Sequence, residues 1–475
     1  MKSKRKIFFR ADGDSKIGLG HIFRSLALAE MLCTEFDCHF IIRNALPTLK
    51  KQILEVCKSI IELPKSKEAE AEKLAKEVFS SQDIVVLDGY HFQTDYQRVI
   101  KQSGAKLVCI DDIFDYHFLA DIIINHAGAA SSTQYSAEAY TQFLLGLPYA
   151  LLRKPFREAS KEREEHTKGN AVFICLGGAD PKNDTIKVIQ KCKAYPEFDT
   201  IYVIVGAAYI YRKELEELVD TLPQKIEILQ DLSADQMVAC MQKCTIAITS
   251  PSTISYEYLS VGGILYLKMT ADNQASINQY LLDTGLAFPF SDFPVREKEK
   301  IQKAQVLQRE VFDGKQQKRM LNLFRALSLN IRRAKEEDVL QYYNWTNDPQ
   351  TRLQSFNTEP IPLESHQSWF KSKLASTDCV LYVLALKKKQ IGQIRFDFKE
   401  EVIISYSLDP QFRGQGYGLG ILRIGLAQFK KEFNLVLPIV GFVKTNNIPS
   451  VKAFRSIGFK ETVATTIEES FKYIL

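Results

Sequence analysis

Short runs of apolar and β-branched residues alternate with stretches of helical periodicity along the first 300 residues. Strands alternating with helices predict parallel sheets covered on both faces, so we expect an α/β protein with two doubly wound lobes. The runs that predict strands are Lys6–Arg10, Cys38–Arg43, Ile84–Leu87, Leu107–Ile110, Ile122–Ile124, Ala171–Leu176, Ile201–Val205, Ile226–Ile228, Ile246–Ile248 and Ile264–Leu267.

The pattern changes twice along the chain. A charged stretch, Lys161–Gly169, separates the two series of strands and is predicted to be a linker. Residues 295–327 have a charged helical pattern, and after Asn330 a helix precedes runs typical of antiparallel strands. We therefore predict an N-terminal lobe over residues 1–160, a second lobe over 161–328 and an α+β domain over 329–475. A ligand-binding cleft is expected between the lobes, at the carboxyl ends of their strands.

Composition excludes several classes of protein. The chain has 475 residues, 45% hydrophobic and 25% charged, which is ordinary for a soluble globular protein. No apolar run could span a membrane, and the basic N-terminus lacks the apolar core of a signal peptide, so we expect a cytoplasmic protein without a membrane partner. Nine scattered cysteines without a CxxC motif predict reduced, mostly buried thiols. We see no cluster of metal ligands and expect no metal.

The net charge of +5 lies wholly in the last third of the chain. From residue 331 onward there are 20 Lys and Arg against 15 Asp and Glu, which leaves 42 against 42 for residues 1–330. A basic domain suits a polyanionic ligand such as coenzyme A, or it forms a solvated face. No basic cluster with interleaved aromatic residues is present, so nucleic acid is not an expected partner.

A glycine-rich loop joins the first predicted strand to a helix predicted to begin near His21. Gly18 and Gly20 allow a tight turn close to a ligand, and the helix N-terminus offers free N–H groups to a phosphate. The positive end of the helix disfavours a charged imidazole, so His21 is expected to be neutral and able to act as a base. The alternative is that the glycines only form a turn and His21 caps the helix.

Two further loops follow strands in the second lobe. Gly177 and Gly178 come directly after one strand, and Ser252 and Thr253 begin a helix after another. Hydroxyl groups at such a turn can hold a diphosphate, and the carboxylate of Glu257, one turn into the helix, can bridge the two hydroxyls of a ribose. The alternative is that Ser252 and Thr253 cap the helix and Glu257 is a favourable charge in its first turn.

The string Arg10–Ala29 (RADGDSKIGLGHIFRSLALA) resembles the signature of the pseudaminic acid pathway hydrolases, which remove UDP from UDP-2,4-diacetamido-2,4,6-trideoxy-β-L-altropyranose. That family resembles the two-lobed glycosyltransferases of the lipid II synthase type, so the resemblance implies Rossmann-like lobes in a GT-B arrangement, with uridine diphosphate in the second lobe. The chain departs from the family at Asn125–Ala127, where an Asn-Gln-Asn-like run is expected. Further similar stretches, spread over almost all of residues 1–325, are Gly146–Phe156, Gly177–Asn183, Ser252–Glu257 and Asn273-Gln274.

The resemblance implies that His21 activates a water, which attacks the anomeric carbon and breaks the C–O bond to UDP with inversion. UDP leaves readily when backbone amides and a helix dipole hold its charge, so little acid catalysis is required. Glu257 would contact the ribose, and Arg153 would lie near the substrate. The predicted substrate-binding residues are Asp12, Gly20, Arg24, Asp88, Tyr90, Arg153, Gly177, Gly178, Asp180, Asn183, Ser252, Thr253, Glu257, Asn273 and Gln274.

A glycine loop of another kind follows the predicted strand Val402–Leu408 and leads into a helix. Strand, glycine loop and helix are typical of a diphosphate site, but the spacing is not the Gly-x-Gly-x-x-Gly of dinucleotide-binding folds. The loop, Arg413–Gly418, resembles motif A of the GNAT superfamily of N-acetyltransferases, and Asn447–Phe459 resembles their next block. Trp345–Asp348, together with His366 and Trp369-Phe370, resembles the subgroup that acetylates amino sugars; core packing is the alternative for the two tryptophans.

This second resemblance covers residues 330–475 and implies acetyl-CoA as co-substrate, with direct attack of an amine on the thioester. Many members carry a tyrosine at the position of Phe454 as the acid for the leaving thiolate. Phenylalanine cannot donate a proton, so Tyr406, Tyr417 or water must substitute, or the thiolate leaves unassisted. The backbone near Ser407 and Leu408 would hold the thioester carbonyl. The predicted cofactor-binding residues are Ser407, Leu408, Arg413, Gly414, Gln415, Gly416, Tyr417, Gly418 and Asn447.

The two resemblances are connected by consecutive reactions. In pseudaminic acid synthesis an acetyltransferase acylates the 4-amino group of a UDP-linked sugar, and the hydrolase then removes UDP. The sequence therefore predicts a bifunctional enzyme of nonulosonate biosynthesis that uses a UDP-linked amino sugar and acetyl-CoA. Two alternatives stay open: a GT-B glycosyltransferase that moves the sugar to an acceptor, and a C-terminal module that binds CoA without turnover.

Overall fold

The computed structural model describes residues 4–13, 19–64, 66, 69–163, 170–178, 180–206, 208–386, 389–398, 400–433, 437–463 and 469–475. Gly18 and most of the predicted linker Lys161–Gly169 lie outside the described residues. Two parallel sheets are followed by a mainly antiparallel one, so the mixed α/β class predicted from the sequence is confirmed. No described helix combines the length and hydropathy needed to cross a membrane.

The first lobe is built around a parallel sheet. Its strands are β1 (Lys6–Ala11), β2 (Asp37–Arg43), β3 (Ser59–Leu63), β4 (Ile84–Asp88), β5 (Lys106–Ile110), β6 (His117–Phe118), β7 (Ile122–Asn125), β8 (Ser136–Ala137) and β9 (Gln142–Leu145). The helices are α1 (Gly20–Leu32), α2 (Pro47–Val56), α3 (Glu70–Lys73), α4 (Thr94–Gln102) and α5 (Lys154–Lys161). The strand order of the main sheet is β3-β2-β1-β4-β5-β7-β9, and each neighbouring pair is parallel. The short strands β6 and β8 pair with each other in a separate sheet.

Both faces of this sheet are buried, which explains why its strands are apolar throughout. Ile7 and Phe9 pack into one hydrophobic cluster with α1, and Phe8, between them, packs into a second cluster on the other face. Because the carboxyl ends of β1 and β4 lie side by side, the loop after β1 and the residue that ends β4 meet at one edge of the sheet.

The second lobe repeats the same plan with a six-stranded sheet. Its strands are β10 (Ala171–Cys175), β11 (Thr200–Val205), β12 (Lys225–Gln230), β13 (Cys244–Thr249), β14 (Ile264–Leu267) and β15 (Phe288–Pro289). Its helices are α6 (Asp184–Cys192), α7 (Arg212–Val219), α8 (Ala234–Lys243), α9 (Thr253–Val261), α10 (Ala275–Asp283), α11 (Lys298–Val311) and α12 (Gln316–Leu327). The order is β12-β11-β10-β13-β14-β15, all parallel, so the loops after β10 and β13 are neighbours.

The C-terminal domain has a seven-stranded sheet. Its strands are β16 (Leu329–Arg333), β17 (Cys379–Leu386), β18 (Lys389–Phe398), β19 (Val402–Leu408), β20 (Ile439–Lys444), β21 (Lys460–Val463) and β22 (Ser470–Ile474). Their order in the sheet is β16-β17-β18-β19-β20-β22-β21. Its helices are α13 (Val339–Thr346), α14 (Pro349–Gln354), α15 (Leu363–Ala375), α16 (Tyr417–Glu432) and α17 (Ile448–Ser456). The pairs are antiparallel except β19 with β20, which run parallel.

Helix α12 belongs to more than one unit of the structure. It follows the second lobe in the chain, yet Leu323 and Phe324 pack into the hydrophobic cluster of the first lobe around α1. Ala326, on another face of the helix, packs into the core of the C-terminal domain. Arg325 pairs with Glu35 of the first lobe and donates to the carbonyl of Gln415 at 3.0 Å. The helix therefore joins the first lobe to the C-terminal domain.

All of the strands predicted from apolar runs are present. The sequence missed the short strands β6, β8 and β15, and it also missed β3 and β9. Both lie at the edges of the first sheet, and their half-buried residues give no continuous apolar run. The nine cysteines are free and eight of them are buried, as expected for reduced thiols.

Candidate functional site

His21 lies in the first turn of α1, beside the end of β4. Its Nδ1 is 2.7 Å from Oδ1 of Asp88. A carboxylate can only accept a hydrogen bond, so this short contact places the proton on Nδ1 and the lone pair of the neutral ring on Nε2. Nη2 of Arg24 lies 3.0 Å from the same Nδ1, but it makes the shorter bond, 2.6 Å, to Oδ1 of Asp88. Within the described residues Nε2 has no hydrogen-bond partner, and the ring of Tyr90 stands edge-on to the imidazole at 4.7 Å. The arrangement is that of a base with a fixed tautomer.

Asp88 is the charged centre of this site. It is fully buried, and it accepts from Arg24 at 2.6 Å and from the hydroxyl of Ser25 at 3.1 Å in addition to His21. Burial alone would raise the pKa of Asp88, but Arg24 and His21 hold it below its ordinary value. The carboxylate therefore stays ionised near neutral pH.

Asp12, which was predicted to bind substrate, lies in an ion network separate from His21. Its carboxylate accepts from Arg10 at 2.5 and 2.7 Å and from the main-chain N–H of Arg43 at 2.9 Å. Arg10 in turn pairs with Glu70 on α3. Because protein donors occupy both oxygens of Asp12, its predicted contact with substrate stays a prediction. Gly20 begins α1 with open space around its Cα.

In the second lobe, the loops after β10 and β13 lie side by side. A Cβ on Gly177 would be 3.8 Å from the hydroxyl of Ser250. The backbone of Gly178 lies so close to Gly206 that a Cβ on Gly206 would be 2.6 Å from it. Ser252 occupies the N-cap position of α9, but its side chain makes no capping bond. Ser252 therefore does not cap the helix through its side chain, and its contact with a diphosphate stays a prediction. The first N–H groups of α9 face the same edge as the glycine loop, an arrangement that suits a diphosphate.

Glu257 and Arg153 are brought together by the structure. The guanidinium of Arg153 donates to Oε1 of Glu257 at 2.7 and 3.0 Å. Burial raises the pKa of Glu257, and Arg153 offsets only part of that effect. Arg153 precedes α5, the helix that leads from the first lobe into the second, so this ion pair lies where the two lobes meet.

The remaining predicted residues of the second lobe differ in how much of their polar surface is free. Asp180 accepts from two main-chain N–H groups at the start of α6, at 3.0 and 2.8 Å. Asn183 is bonded through both ends of its amide, and Gln274 accepts from the N–H of Thr270. Thr253 and Asn273 are exposed. Asp180, Asn183 and Gln274 thus support the local backbone, and their contact with a ligand stays a prediction.

Sequence reasoning did not select His126, which lies in the loop after β7. Its Nδ1 accepts from the N–H of Leu151 at 3.3 Å, and its ring stands edge-on to Tyr256 of α9 at 5.9 Å. Burial, assisted by the charge of Arg24, lowers the pKa of His126 to about 4. His126 is therefore neutral, with a proton on Nε2, and it joins the His21 site to the second lobe. Its only signal in the sequence was the departure at Asn125–Ala127 from the hydrolase pattern.

In the C-terminal domain, β19 and β20 separate part-way along their length. They pair only from Val402 to Ile404, opposite Ile439–Gly441, and β19 continues to Leu408 without its neighbour. The glycine loop follows directly. Gly414 and Gly416 have φ of +73° and +85°, which favour glycine. Gly416 also occupies the N-cap position of α16 without a side-chain capping bond, so the helix N-terminus is open to an anion.

Several predicted cofactor residues also have partners within the protein. Arg413 pairs with Asp348 at 2.5 Å and donates to the carbonyl of Leu408 at 3.1 Å. Asn447 caps α17 by accepting from the N–H of Ser450. Gln415, Tyr417 and Gly418 lie at the start of α16, where Gly418 is close to Leu408. Direct contact of Arg413 and Asn447 with the cofactor stays a prediction.

A cavity of about 500 Å³ opens beside the free part of β19. Ser407 and Tyr406 of that strand line it, opposite residues from α13, α14 and α15. The complete lining is Tyr342, Thr346, Thr351, Arg352, Ser355, Ile361, Ser365, His366, Trp369, Gln393, Arg395, Ser405, Tyr406 and Ser407. Trp345 does not line the cavity and is buried in the core, so the packing alternative is confirmed for it; Trp369 lines the cavity.

The side chain of Phe454 is packed in the hydrophobic core of the C-terminal domain. Its ring is buried, lies against Tyr473 at 5.2 Å, and leaves no room for a side chain at Gly441. The hydroxyl of Tyr406 is 2.9 Å from the hydroxyl of Ser450 on the same helix α17, one turn before Phe454. Tyr406 therefore brings a phenol to the cavity and to the helix that carries Phe454, whereas Tyr417 does not line the cavity.

Comparison with known proteins bears on both regions. Residues 328–460 match the family model of the acetyltransferase (GNAT) domain. An uncharacterized protein of Methanocaldococcus jannaschii is 24% identical over 96% of this chain and 97% of its own length. The UDP-2,4-diacetamido-2,4,6-trideoxy-beta-L-altropyranose hydrolase of Campylobacter jejuni is 28% identical over 59% of this chain and 97% of its own length. The spore coat polysaccharide biosynthesis protein SpsG of Bacillus subtilis is 21% identical over 58% of this chain and 81% of its own length.

The chain is similar to a UDP-sugar hydrolase over 59% of its length, and residues 328–460 match the GNAT acetyltransferase domain, which supports a fusion of the two. Both resemblances predicted from sequence motifs are thereby confirmed. The separated strands β19 and β20, the glycine loop and α16 belong to the GNAT domain, and the family supports acetyl-CoA as its ligand. His21, Asp88 and the loops after β10 and β13 belong to the hydrolase-like region.

The glycine loop of the GNAT domain gives a direct prediction. A Cβ on Gly416 would lie 2.4 Å from the side chain of Asn322 on α12, in a backbone conformation that L-residues adopt at a cost of about 1–2 kcal/mol. Gly416→Ala is therefore expected to weaken acetyl-CoA binding by roughly tenfold, since about 1.4 kcal/mol corresponds to a factor of ten. Isothermal titration calorimetry of the full chain with acetyl-CoA measures this change.

The matched control for this loop is Gly414→Ala. Gly414 has a similar positive φ but open space around its Cα, so it reports backbone strain without the contact with Asn322. Adding Asn322→Ala to Gly416→Ala should restore the part of the affinity that the contact removes. Unchanged affinity in Gly416→Ala would show that the loop does not bind the cofactor in this conformation.

Proposed function

We propose that this chain is a bifunctional enzyme of pseudaminic acid biosynthesis. Its GNAT domain transfers an acetyl group from acetyl-CoA to the 4-amino group of a UDP-linked amino sugar. Its hydrolase-like region, arranged as two GT-B-like lobes, then hydrolyses UDP-2,4-diacetamido-2,4,6-trideoxy-β-L-altropyranose to UDP and the free sugar. The observation that carries the proposal is the 2.7 Å contact between His21 and Asp88 at the start of α1, in a region similar to a hydrolase of that name.

In the hydrolytic step, Nε2 of His21 takes a proton from a water molecule as the water oxygen attacks the anomeric carbon. Asp88 stabilises the imidazolium that forms, because its carboxylate contacts Nδ1 and is ionised at neutral pH. The C–O bond to the diphosphate breaks with inversion, and UDP leaves with the electron pair. The proton on His21 then passes to solvent.

The leaving diphosphate is proposed to bind at the loops after β10 and β13. The open N-terminus of α9 and the glycines at 177 and 178 supply N–H groups and a positive dipole end, which stabilise charge that develops on the diphosphate. Glu257, one turn into α9, is proposed to accept hydrogen bonds from the ribose hydroxyls. Arg153 keeps that carboxylate paired until the nucleotide binds.

In the acetyl-transfer step, the thioester is proposed to lie in the space between β19 and β20, with the CoA pyrophosphate at the start of α16. The acceptor sugar occupies the cavity beside Ser407. Its amine attacks the thioester carbonyl, the C–N bond forms, the C–S bond breaks and the thiolate takes a proton from the hydroxyl of Tyr406. Tyr406 regains a proton from the new amide nitrogen.

The role of Tyr406 can be tested by removing one oxygen atom. Tyr406→Phe should lower kcat for acetyl transfer by about 10²-fold, because general acid catalysis is lost, and leave the KM for acetyl-CoA unchanged. Tyr417→Phe removes a hydroxyl outside the cavity and is expected to keep the wild-type rate. Release of CoA, followed with a thiol reagent, measures both variants; equal rates in wild type and Tyr406→Phe would assign the proton to water.

The proposed function is tested by NMR of the purified full chain with UDP-4-amino-4,6-dideoxy-N-acetyl-β-L-altrosamine. With acetyl-CoA present, we expect the diacetamido sugar and free UDP; without acetyl-CoA, neither should form. Acetylation without release of UDP would contradict the hydrolase assignment and favour a glycosyltransferase that lacks its acceptor. Release of UDP without acetylation would show that the GNAT domain has another acceptor or none.

A further inference from the structure

Unpaired polar atoms are concentrated at the cavity of the GNAT domain. Nε2 of His366, Nε of Arg352 and Oε1 of Gln393 are buried and have no hydrogen-bond partner within the described part of the chain. All three residues line the same cavity. Buried polar atoms are normally paired, and each one left unpaired costs about 1–3 kcal/mol. Three in one place indicate a surface shaped for a polar ligand rather than for packing.

His366 on α15 has the geometry of a base. Its residue surface is 1% exposed, and its ring lies between Tyr343 at 5.5 Å and Trp369 at 5.3 Å. The backbone of Val339 lies near the ring and favours its protonated form, which opposes part of the effect of burial. Nε2 has no partner within the described residues, so in the tautomer with the proton on Nδ1 its lone pair is unoccupied. Burial lowers the pKa of His366, which keeps the ring in this basic form.

No other described residue that lines the cavity can take a proton from an amine near neutral pH. The lining contains no Asp or Glu. The charged or titratable side chains that share the cavity with His366 are Tyr342, Arg352, Arg395 and Tyr406, and Tyr343 packs against its ring. Arginines and tyrosines are protonated at this pH. An ammonium group that enters this cavity therefore has His366 as its acceptor.

We propose that His366 is the general base of acetyl transfer. Nε2 takes one proton from the ammonium form of the acceptor, and the free amine then attacks the thioester. The second proton leaves the amide nitrogen for Tyr406 as the thiolate is protonated, and the imidazolium releases its proton to solvent. The proposal rests on the proposed function, because the acceptor is the 4-amino group of the UDP-linked sugar.

The variant His366→Asn tests this role with little change in packing. Asparagine keeps a polar group near the position of Nδ1, while no atom replaces Nε2. At pH 7 the single-turnover rate of acetyl transfer to the UDP-linked amine should fall by about 10²-fold. The deficit should shrink as the pH rises, because the amine then loses its proton to solvent. Acetyl-CoA affinity and hydrolysis of the diacetamido UDP-sugar should be unchanged.

A structural role would give a different result. A loss of the same size at every pH, or no loss in His366→Asn, would overturn the assignment while the proposed function stands. Added imidazole should restore transfer in His366→Ala, and failure of that rescue would also count against the assignment. A wild-type chain that acetylates no UDP-linked amine would overturn the proposed function and the role of His366 together.

Discussion

Replacing His21 by glutamine is expected to lower the rate of UDP release by about 10²–10⁴-fold, which is the usual contribution of a general base. Glutamine keeps a polar side chain of similar length near Asp88 but cannot take a proton from water. Acetyl transfer should continue at the wild-type rate, so the acetylated UDP-sugar should accumulate. NMR or chromatography of the nucleotide products, with the full chain and acetyl-CoA, measures both steps in one sample.

His117→Gln is the matched control for His21→Gln. His117 lies in the same lobe, on β6, and is bonded to Ser136 at the surface. Its replacement should leave both steps unchanged. Rapid UDP release by His21→Gln would show that another group activates the water, and the 2.7 Å contact with Asp88 would then have a structural role only.

The stability of the first lobe is expected to fall as the pH is lowered from about 6.5 to 4, and His126 should cause part of this loss. A free histidine has a pKa of about 6.5, whereas that of His126 in the folded chain is about 4. Between these values the unfolded chain binds more protons, so protonation favours unfolding. The full contribution is present above pH 6.5, and lowering the pH from 7.5 to 5 should remove about 2 kcal/mol of it.

The His126→Gln variant has no group that titrates at this position. Its free energy of unfolding should therefore fall by about 2 kcal/mol less than that of the wild type between pH 7.5 and pH 5. Urea unfolding at pH 7.5 and pH 5, followed by far-UV circular dichroism, gives the difference for wild type and variant. The two tryptophans, Trp345 and Trp369, lie in the GNAT domain, so their fluorescence follows that domain separately and should not differ between the chains. Identical pH dependence in both chains would show that the imidazole is solvated in the native state.

The sequence predicted the parts of the fold that depend on local pattern. Apolar runs predicted the central strands because both faces of each sheet are buried, whereas the half-buried edge strands β3 and β9 give no such run. The glycine loops were predicted because the positive φ of Gly177, Gly414 and Gly416 suits glycine best.

Partners that are distant in the chain were harder to predict. Asp88 was predicted only as a substrate-binding residue, and its contact with His21, across 67 residues, depends on β1 and β4 being neighbours in the sheet. The same limit applies to His126, whose neutral state follows from burial between the lobes rather than from its own motif. The unpaired Nε2 of His366 is likewise a property of the assembled cavity.

The contacts of helix α12 with two neighbouring units limit where the chain can be divided and which substitutions it tolerates. Phe324 fills the core of the first lobe, Ala326 fills that of the GNAT domain, and Asn322 closes over Gly416 in the glycine loop. A gene divided after residue 328 would leave the acetyltransferase half without one wall of its glycine loop and the hydrolase half with an uncovered helix face. We therefore expect the halves, made as separate polypeptides, to recombine in solution, and mutations in α12 to be tolerated only when compensated in a neighbouring unit.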